Sequence, residues 1–371
     1  MIYLDNAATS FPKPNSVKKA VSDCLNKYCG NPGRGTNYMA LKASEAIYNT
    51  REAIAEFLNY NNPENIIFTL NSTYALNIAI KTTFLNNCRI ITSDIEHNAV
   101  LRPLYKLKKD KKIDLDFFST DGDIEKNIVN LITDKTRGIV CNLLSNVSGK
   151  EIPLSILSKI KQKYSLKLIV DASQLMGHKL IDLTKNPCDV LCGTGHKALF
   201  GIQGCGFAVF CDNMKRESFI QGGSGINSKN EEMPDFFPEQ MEAGTLPTPS
   251  IVALNKGIDF IKSKSIKYID DNIQELTKLY LERLKEIKGI RVIGENGIIS
   301  FDFENIPSSA ISELLNGEKI CVRSGFHCAP LIHKKLKSDQ FGLTRVSLSV
   351  MNNKSQADKL YYALKRIRSN Y

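Results

Sequence analysis

The most unusual chemical feature of the sequence is a lysine inside a short, glycine-bounded segment. Lys197 lies in GTGHKALFG (193–201), at the end of a short apolar run, with Thr194 and His196 close by. An ordinary lysine lies on a polar face, where its stem and its ammonium group are both accommodated. A lysine held away from water loses proton affinity and becomes a usable nucleophile and base. The setting of Lys197 therefore predicts an amine to which something is attached.

A second feature is a set of polar residues where a predicted strand meets a predicted helix. Asn71, Ser72 and Thr73 stand at this junction in FTLNSTYALN (68–77). Free backbone N–H groups at the start of a helix, together with two hydroxyls, can bind a phosphate. The alternative is plain N-capping of the helix, which the spacing alone favours.

A third feature is an aspartate that ends an apolar run, Asp171 in LIVDASQ (168–174). A partly desolvated carboxylate needs a positive partner, which is either a cofactor cation or an arginine in a structural ion pair. Together with the helix start and Lys197, this aspartate predicts pyridoxal 5'-phosphate (PLP), because that cofactor presents a phosphate, a pyridinium nitrogen and an aldehyde. The order of the three features along the chain carries the prediction, since each feature alone is weak.

An α/β framework must position these residues. Helical spacing predicts helices at 16–28 and 40–59 and a long helical stretch over 251–287 that is broken near Ser263 to Ser265. Short apolar runs predict strands at 65–70, 89–93, 113–118, 138–144, 166–172, 189–195 and 206–210. Strands that alternate with helices imply right-handed crossovers and a largely parallel sheet, with ligands bound beyond the carboxyl ends of its strands.

The carboxyl-terminal part of the chain has a different pattern. Alternating segments at 290–294, 298–304 and 344–350 follow the long helical stretch. They indicate a smaller α+β unit. We therefore predict a large α/β domain over residues 15–254 and a small α+β domain formed by residues 1–14 and 255–371.

Length, composition and charge limit the function classes. The 371 residues, of which 42% are hydrophobic, are enough for two domains with a substantial core. No apolar run reaches about 18 residues and the first residues lack the pattern of a secretion signal, so we expect neither a membrane partner nor export. The net charge of +10 comes from lysines spread along the chain, without a recognisable nucleic-acid module. We expect no nucleic-acid binding, whereas attraction for an acidic partner stays open.

The ten cysteines favour a reduced, cytoplasmic setting. They are scattered along the chain and lack the dense, regular spacing of a small disulfide scaffold. No cysteine pair is joined by a second CxxC pair or by histidines at zinc-finger spacing. We therefore expect no metal site.

Nine motifs, in this order and over essentially the whole chain, resemble the class V aminotransferase superfamily and, within it, the cysteine desulfurase and selenocysteine lyase group. They are YLDNAATSFPKP, NPGRGTNYMALKASEAIYNTR, IEHNAV, SNVSGKEIP, DASQLMGH, GTGHKALFGIQGCGF, MEAGTLPTPSIVAL, VRSGFHCAP and TRVSLSVMNN. The resemblance implies the type I fold of PLP-dependent transferases, which has a large domain with a mainly parallel central sheet and a smaller α+β domain. It also implies a homodimer with composite active sites.

The resemblance implies which residues bind the cofactor. Lys197 matches the lysine that bonds the cofactor aldehyde, Asp171 the partner of the pyridinium nitrogen, and Gln174 the donor to the phenolic oxygen. His97 matches the histidine that stacks on the ring and relays protons. The phosphate contacts fall on Ser72, Thr73, Thr194 and His196, and Asn71 is a further cofactor-binding candidate. Thr245 is expected to reach the phosphate of the neighbouring subunit.

The resemblance also implies how the substrate is held and where its sulfur goes. Asn146 and Arg345 match the pair that holds the substrate carboxylate, helped by the backbone around Ala7 and Ala8, and Arg323 is a further substrate-binding candidate. Cys328 in VRSGFHCAP matches the sulfur-accepting cysteine. The implied reaction converts L-cysteine into L-alanine and leaves a persulfide on Cys328.

The surroundings of Cys328 carry two further expectations. Arg323 and His327 are close in sequence and are expected to lower the pKa of the thiol by favouring its charged form. The motif resembles the short-loop, SufS-like branch more than the IscS-like branch, which implies a dedicated acceptor protein. The alternative for Cys328 is a small buried hydrophobic residue, the usual state of a free cysteine.

Three positions depart from the family pattern. Asn71 and Tyr74 replace the usual glycine and glutamate, and Asn37 replaces a histidine. Asparagine tolerates a left-handed backbone better than most residues, so we expect position 71 to keep cofactor binding. The lack of a histidine at position 37 is expected to reduce or redirect activity.

Several functions stay open at this point. The alternatives are a selenocysteine lyase, another class V reaction such as transamination or β-elimination, and, in a different class, a non-catalytic scaffold that binds an acidic partner. The sequence also leaves open the sulfur acceptor, the choice between iron–sulfur cluster assembly and tRNA thiolation, and the preference between sulfur and selenium.

Overall fold

The computed structural model describes residues 1–33, 35–84, 87–226 and 228–369. Within these ranges the strands are β1 (Ile2–Tyr3), β2 (Ile66–Thr69), β3 (Cys88–Ser93), β4 (Ile113–Phe118), β5 (Thr136–Asn142), β6 (Lys167–Asp171), β7 (Val190–Thr194), β8 (Gly206–Phe210), β9 (Ile290–Glu295), β10 (Ile298–Phe303), β11 (Ile320–Cys321), β12 (Arg323–Gly325) and β13 (Leu343–Ser347). The helices are α1 (Asn15–Lys27), α2 (Tyr38–Phe57), α3 (Ser72–Thr83), α4 (Asn98–Lys109), α5 (Ile124–Val129), α6 (Leu154–Tyr164), α7 (Thr248–Lys264), α8 (Ile266–Lys285), α9 (Ser308–Gly317), α10 (Pro330–Lys335) and α11 (Lys354–Ser369).

A seven-stranded sheet forms the larger part of the structure. Its strand order is β2–β8–β7–β6–β5–β3–β4. Strand β8 runs antiparallel to its neighbours β2 and β7, and the remaining neighbours are parallel. The mainly parallel sheet predicted from the sequence is therefore confirmed. Strands β5 and β6 end at the same level, since Asn142 pairs with Asp171, and β7 continues for two residues beyond the pairing of Asp171 with Cys192.

The central strands read as continuous apolar runs because both faces of the sheet are covered. In β5, Ile139 and Cys141 pack into one core, whereas Val140 between them packs into a second core. Successive side chains of a strand point to opposite faces, so burial on both faces removes the usual alternation of apolar and polar residues. This explains why the short apolar runs located the strands.

A smaller antiparallel sheet lies in the carboxyl-terminal part of the chain. Its strand order is β12–β13–β10–β9, and a third apolar core joins it to α8, α9 and α11. Strand β1 pairs with β11, which attaches the amino-terminal segment to this unit. The smaller α+β unit predicted from the sequence is therefore present.

The long helical stretch consists of two helices, as predicted. Ser265 separates α7 from α8 and has a φ of +64°. Helix α7 crosses the predicted domain boundary between residues 254 and 255, and its Ile258 and Ile261 pack in the core of the central sheet. The limits of the two domains stay a prediction. Within the described ranges, no helix combines the length and the apolar character needed to cross a bilayer.

Candidate active site

Six of the predicted site residues line one cleft at the carboxyl ends of the central strands. They are Ser72, His97, Asn146, Asp171, Gln174 and Lys197, and the remaining lining residues are Asn142, Leu144 and Ser173. Parallel strands bring their carboxyl ends to one edge of the sheet, where ligands bind in this class of fold. The topology therefore explains why residues that are distant in sequence meet in this cleft.

The turn that carries Lys197 is fixed by a backbone hydrogen bond and by close packing against α7. The Gly195 N–H donates to the carbonyl oxygen of Cys205 at 2.9 Å. Helix α7 packs so closely on the turn that a Cβ atom on Gly257 would lie 1.9 Å from the carbonyl oxygen of Leu199. A side chain at position 257 would therefore displace the backbone next to Lys197.

The amine of Lys197 is largely removed from water. Burial lowers its pKa from 10.5 to about 8, and the attraction of Asp171 opposes this shift. Within the described residues the amine forms no hydrogen bond and no ion pair. A substantial fraction of such an amine is uncharged near neutral pH, so it can act as a nucleophile or a base.

Asp171 presents its carboxylate to the cleft from the end of β6. The residue is buried, and its Oδ1 accepts a hydrogen bond from the Ser173 N–H at 2.9 Å. No lysine or arginine of the described chain forms an ion pair with it, so the structural ion pair considered from the sequence is not found. A buried carboxylate without a protein cation suits the cationic ring nitrogen of a cofactor.

The start of α3 lies directly against β8. A Cβ atom on Gly206 would lie 2.3 Å from the carbonyl carbon of Asn71 and 2.6 Å from the nitrogen of Ser72, so only glycine permits this approach. The Asn71 Oδ1 caps the helix by accepting from the Tyr74 N–H at 3.1 Å. The expected reliance of Asn71 on a left-handed backbone is wrong, because its φ of −168° is extended. The N-capping considered as the alternative from the sequence is thus present, and the start of α3 also offers backbone N–H groups to a phosphate.

Several polar atoms near Lys197 have no hydrogen-bond partner among the described residues. They include the Thr194 Oγ1 at the end of β7 and the His196 Nδ1 next to Lys197. In the cleft itself they include the Ser173 Oγ, the Asn142 Oδ1 and the Asn146 Oδ1. Burial lowers the pKa of His196 to about 4, so its ring is neutral near neutral pH. Buried polar atoms are normally hydrogen-bonded, so unpaired ones beside a cleft fit a polar ligand such as the phosphate and ring of PLP.

His97 caps α4 and is held in one tautomer. Its Nδ1 accepts a hydrogen bond from the Ala99 N–H at 3.0 Å, which leaves the proton of the neutral ring on Nε2. Burial and the positive charge of Lys197 lower the pKa of His97 to about 4. The imidazole is therefore a neutral, oriented ring in the wall of the cleft.

The predicted substrate-binding residues contact one another behind the cleft. The guanidinium of Arg345 is buried, donates to the Asn146 carbonyl oxygen at 3.0 Å, and pairs with Asp5 Oδ1 at 2.7 Å. Its Nε has no hydrogen-bond partner among the described residues. The Asn146 side-chain amide donates to the carbonyl oxygen of His327 at 2.7 Å. The Nε–H donor of Arg345 thus stays free, and Asn146 links Arg345 to the segment that carries Cys328.

Two further predicted contacts lie at the edges of this group. The Gln174 Nε2 donates to the Ala7 carbonyl oxygen at 3.1 Å, which brings the amino-terminal segment to the cleft. Arg323 is half-buried in β12, and its charge lowers the pKa of Lys197 and of His97. Thr245 is exposed and does not line the cleft of its own chain.

Cys328 stands outside the cleft, on the other side of His97. It is exposed, in contrast to the buried hydrophobic residue considered as an alternative from the sequence. Its carbonyl oxygen accepts from the Asn98 N–H at 2.7 Å, and it lines a surface groove together with His97. Cys328 and His327 both have positive φ values, +56° and +48°. His97 is thus a shared wall between the cleft and the groove that holds the thiol.

The expectation that His327 places a positive charge beside the Cys328 thiol is wrong. The imidazole is buried, and one of its ring nitrogens contacts the carbonyl oxygen of Leu343 at 3.0 Å. Burial and the charge of Arg345 hold the pKa of His327 far below its usual value, so the ring carries no positive charge near neutral pH. A neutral ring does not stabilise a thiolate by charge.

Sequence reasoning missed two carboxylates, Glu96 and Asp5. Glu96 is fully buried, accepts from the Asn142 N–H at 3.0 Å, and has a pKa raised to about 8 by burial and by the charge of Asp171. Asp5 is the ion-pair partner of Arg345. Asp5 directly follows the apolar run Ile2 to Leu4, and this signal would have identified it, whereas Glu96 follows the polar residues Thr92 to Asp94 and has no such signal. Asn37, a departure noted above, is exposed and caps α2 through the Ala40 N–H at 3.0 Å.

Comparisons with known proteins agree with this arrangement. The sequence profile of the family described as aminotransferase class-V matches residues 2–360. A Borreliella burgdorferi protein named probable cysteine desulfurase is 31% identical over 99% of this chain and 92% of its own length. A Salmonella agona protein named cysteine desulfurase is 29% identical over 99% of this chain and 93% of its own length.

A solved structure shows the same likeness in three dimensions. The apo structure of the cysteine desulfurase from Thermococcus onnurineus superposes with a TM-score of 0.91 at 26% identity, and the match covers 100% of this chain and 95% of that one. The match extends over the central sheet and the smaller unit alike. The chain therefore belongs to the class V aminotransferase family, in its cysteine desulfurase group.

Proposed function

We propose that this protein is a PLP-dependent cysteine desulfurase that converts L-cysteine into L-alanine and receives the sulfur on Cys328 as a persulfide. The observation that carries the proposal is the shared position of His97. This residue lines the cleft of Lys197 and Asp171 on one side and the groove of the exposed Cys328 thiol on the other. A substrate held in the cleft would have its sulfur close to that thiol.

The residues of the cleft fit PLP at each of its polar groups. The start of α3 and the unpaired Thr194 hydroxyl suit the phosphate. Asp171 suits the ring nitrogen, and the Lys197 amine suits the aldehyde. His97 offers a flat neutral ring for stacking, and Gln174 offers an amide for the phenolic oxygen. When bound in this way, PLP supplies an electron sink for an amino acid joined to it.

The chain itself supplies binding and proton transfer. Arg345 and Asn146 hold the substrate carboxylate, and the planar guanidinium fixes its orientation. The Lys197 amine removes the Cα proton, a task that suits a base whose pKa is about 8. Ala7 and Arg323 lie at the edge of the same group and complete the substrate site.

Sulfur transfer uses the thiolate of Cys328. The thiolate attacks the substrate sulfur, and a sulfur–sulfur bond forms while the bond between sulfur and Cβ breaks. The electron pair of the broken bond stays with Cβ, which becomes the methyl group of alanine after protonation. The exposed position of Cys328 then makes the outer sulfur accessible to an acceptor protein.

Assembly as a homodimer accounts for residues that face away from the chain's own cleft. Thr245 is exposed, in keeping with a contact to the phosphate in the neighbouring subunit. Large apolar side chains are also exposed on α2 and around the start of α3, including Tyr38, Leu41, Leu70 and Tyr74. Exposed apolar surface of this kind marks an interaction site.

Because all ten cysteines are free thiols, we also propose a reducing, cytoplasmic location.

The test is release of alanine by the PLP-loaded protein from L-cysteine and from L-selenocysteine. We expect Cys328→Ala to lose at least about 90% of its activity toward L-cysteine, because no thiolate remains to take the sulfur, and to retain activity toward L-selenocysteine. Cys29→Ala is the matched control, since Cys29 is the other exposed cysteine. If the wild type released no alanine from either substrate, another class V reaction or a non-catalytic scaffold would be favoured. Unchanged activity of Cys328→Ala toward L-cysteine would show that this thiol takes no part in the reaction.

A further inference from the structure

A groove beside the proposed active site carries Cys328 in its wall. It lies between residues Thr73 to Lys81 of α3 and the start of α4, from its cap His97 to Lys106, and it has a volume of about 440 Å³. We name it the α3–α4 groove. His97 separates it from the cleft, so the groove receives the thiol but not the cofactor residues Asp171 and Lys197.

The α3–α4 groove is positively charged. Its lining includes Lys81, Arg102 and Lys106, and none of its described lining residues is a carboxylate. Arg102 is exposed and forms no ion pair within the described residues. Lys106 pairs with Asp110 at 2.7 Å, but both side chains are exposed, so this pair is weak and screened by salt. A concave surface lined by one sign of charge attracts ligands of the opposite sign.

The lining favours an acidic polypeptide over other anionic partners. Single-stranded nucleic acids are bound by combining cations with aromatic side chains on which bases stack. The described lining contains His97 but no Phe, Tyr or Trp. A polypeptide needs no stacking platform, and its carboxylates would lie between α3 and α4 while a neighbouring thiol reached Cys328.

We propose that the α3–α4 groove docks an acidic segment of the protein that accepts sulfur from Cys328. The proposal rests on the desulfurase function proposed above, and it specifies the partner of that site. The acceptor thiolate attacks the outer sulfur of the Cys328 persulfide, and a new sulfur–sulfur bond forms on the acceptor. The bond to Cys328 breaks, and Cys328 leaves as a thiolate, so no oxidant or reductant is consumed.

Two charge-reversal variants of one helix test the groove. Arg102→Glu/Lys106→Glu reverses two cations of the lining, whereas Lys108→Glu/Lys109→Glu reverses two exposed lysines of the same helix outside the lining. Both variants change the net charge equally. The probes are a cysteine-containing peptide rich in glutamate and the same peptide with glutamine in place of glutamate.

The first readout is equilibrium binding of each fluorescently labelled peptide to the PLP-loaded protein, which does not depend on turnover. We expect the wild type to prefer the glutamate peptide and to lose this preference as salt is added. We expect the groove variant to bind the glutamate peptide about tenfold more weakly, and the control variant to stay within about twofold of the wild type.

The second readout separates this proposal from the enzymatic one. Alanine formation with dithiothreitol as acceptor should be the same in all three proteins, whereas transfer of sulfur to the glutamate peptide should fall only in the groove variant. Failure of alanine formation in the wild type would refute the desulfurase function and leave the binding result to decide the groove. Equal weakening in both variants, no preference for glutamate, or a change in oligomeric mass confined to the groove variant would each refute docking of an acidic partner.

Discussion

The reactivity proposed for Lys197 follows from its separation from water. Burial lowers the pKa of this amine to about 8, compared with 10.5 for an ordinary lysine. We therefore expect the rate at which the cofactor-free protein captures PLP to rise with pH and to level off above about pH 8, because the uncharged amine is the reactive form. The measurement is the growth of the absorbance of the bound cofactor after mixing, over a range of pH.

A neighbouring lysine supplies the control for this pH profile. Lys13 also has a pKa lowered to about 8 by burial, and its ammonium donates to the His196 carbonyl oxygen at 2.9 Å. Lys13→Ala should keep the profile, and Lys197→Ala should abolish capture. A rate that continues to rise up to the pKa of an ordinary lysine would show that the amine is not desolvated.

Glu96 is expected to make stability depend on pH in a direction opposite to that of most acids. Its pKa is raised from 4.5 to about 8, so the native state retains a proton that the unfolded state loses over that range. Stability from this group is complete below pH 4.5 and is lost as pH rises toward 8. Glu96→Gln mimics the protonated acid and does not ionise. Its free energy of unfolding relative to that of the wild type should therefore rise by roughly 2–4 kcal/mol from about pH 5 to about pH 8.

Urea unfolding at the two pH values measures this gain. The control is Glu313→Gln, which changes an exposed glutamate of α9. It should show the same difference from the wild type at both pH values. If the free energies of unfolding of Glu96→Gln and the wild type also differed by the same amount at both pH values, Glu96 would be ionised in the native protein.

Among the elements, the contact between β8 and the start of α3 is sensitive to substitution and lies directly at the proposed phosphate site. A Cβ atom on Gly206 would overlap the backbone of Asn71 and Ser72. Overpacking of this kind costs about 1–3 kcal/mol, so Gly206→Ala should weaken PLP affinity about tenfold by moving the helix start that receives the phosphate. Titration of the cofactor-free variant with PLP measures the loss.

Gly317 provides the matched control for Gly206. A Cβ atom at position 317, at the end of α9, meets nothing within 4 Å, so Gly317→Ala should bind PLP like the wild type. If Gly206→Ala also bound PLP normally, the helix start would not be the phosphate site.

The elements also show what could be predicted from the sequence. Strands buried on both faces appear as apolar runs, so β3 to β8 were found within a few residues of their observed limits. The antiparallel direction of β8 was not predicted, because an apolar run has no direction. The strand ends placed Asp171 and Lys197 together, since parallel strands share one carboxyl edge.

Contacts between distant segments account for most of what the sequence could not provide. The pairing of Asp5 with Arg345 and the bond from Asn142 to Glu96 depend on tertiary packing. The neutral state of His327 is likewise a consequence of burial, which no local pattern reveals. Motif residues were therefore predictable, whereas the groups that set their charge and orientation were not.

For the whole molecule, the exposed Thr245 and the exposed apolar residues of α2 and of the start of α3 predict a homodimer with shared sites. Light scattering should give twice the mass of one chain. Thr245→Ala should weaken PLP binding about tenfold to a hundredfold although this residue does not line its own cleft, because one hydrogen bond to a charged group is lost. A stable monomer with full PLP affinity would contradict the shared site.

The most direct test of the account combines product and protein in one reaction. The PLP-loaded protein is mixed with L-cysteine without reductant, and the alanine released is quantified. The mass of the proteolytic peptide that contains Cys328 is then measured by mass spectrometry. We predict about one alanine for each chain in the first turnover and the added mass of one sulfur atom on Cys328, because the thiol must be regenerated before the next cycle. Alanine release with an unmodified Cys328, or sulfur carried by another residue, would contradict the account.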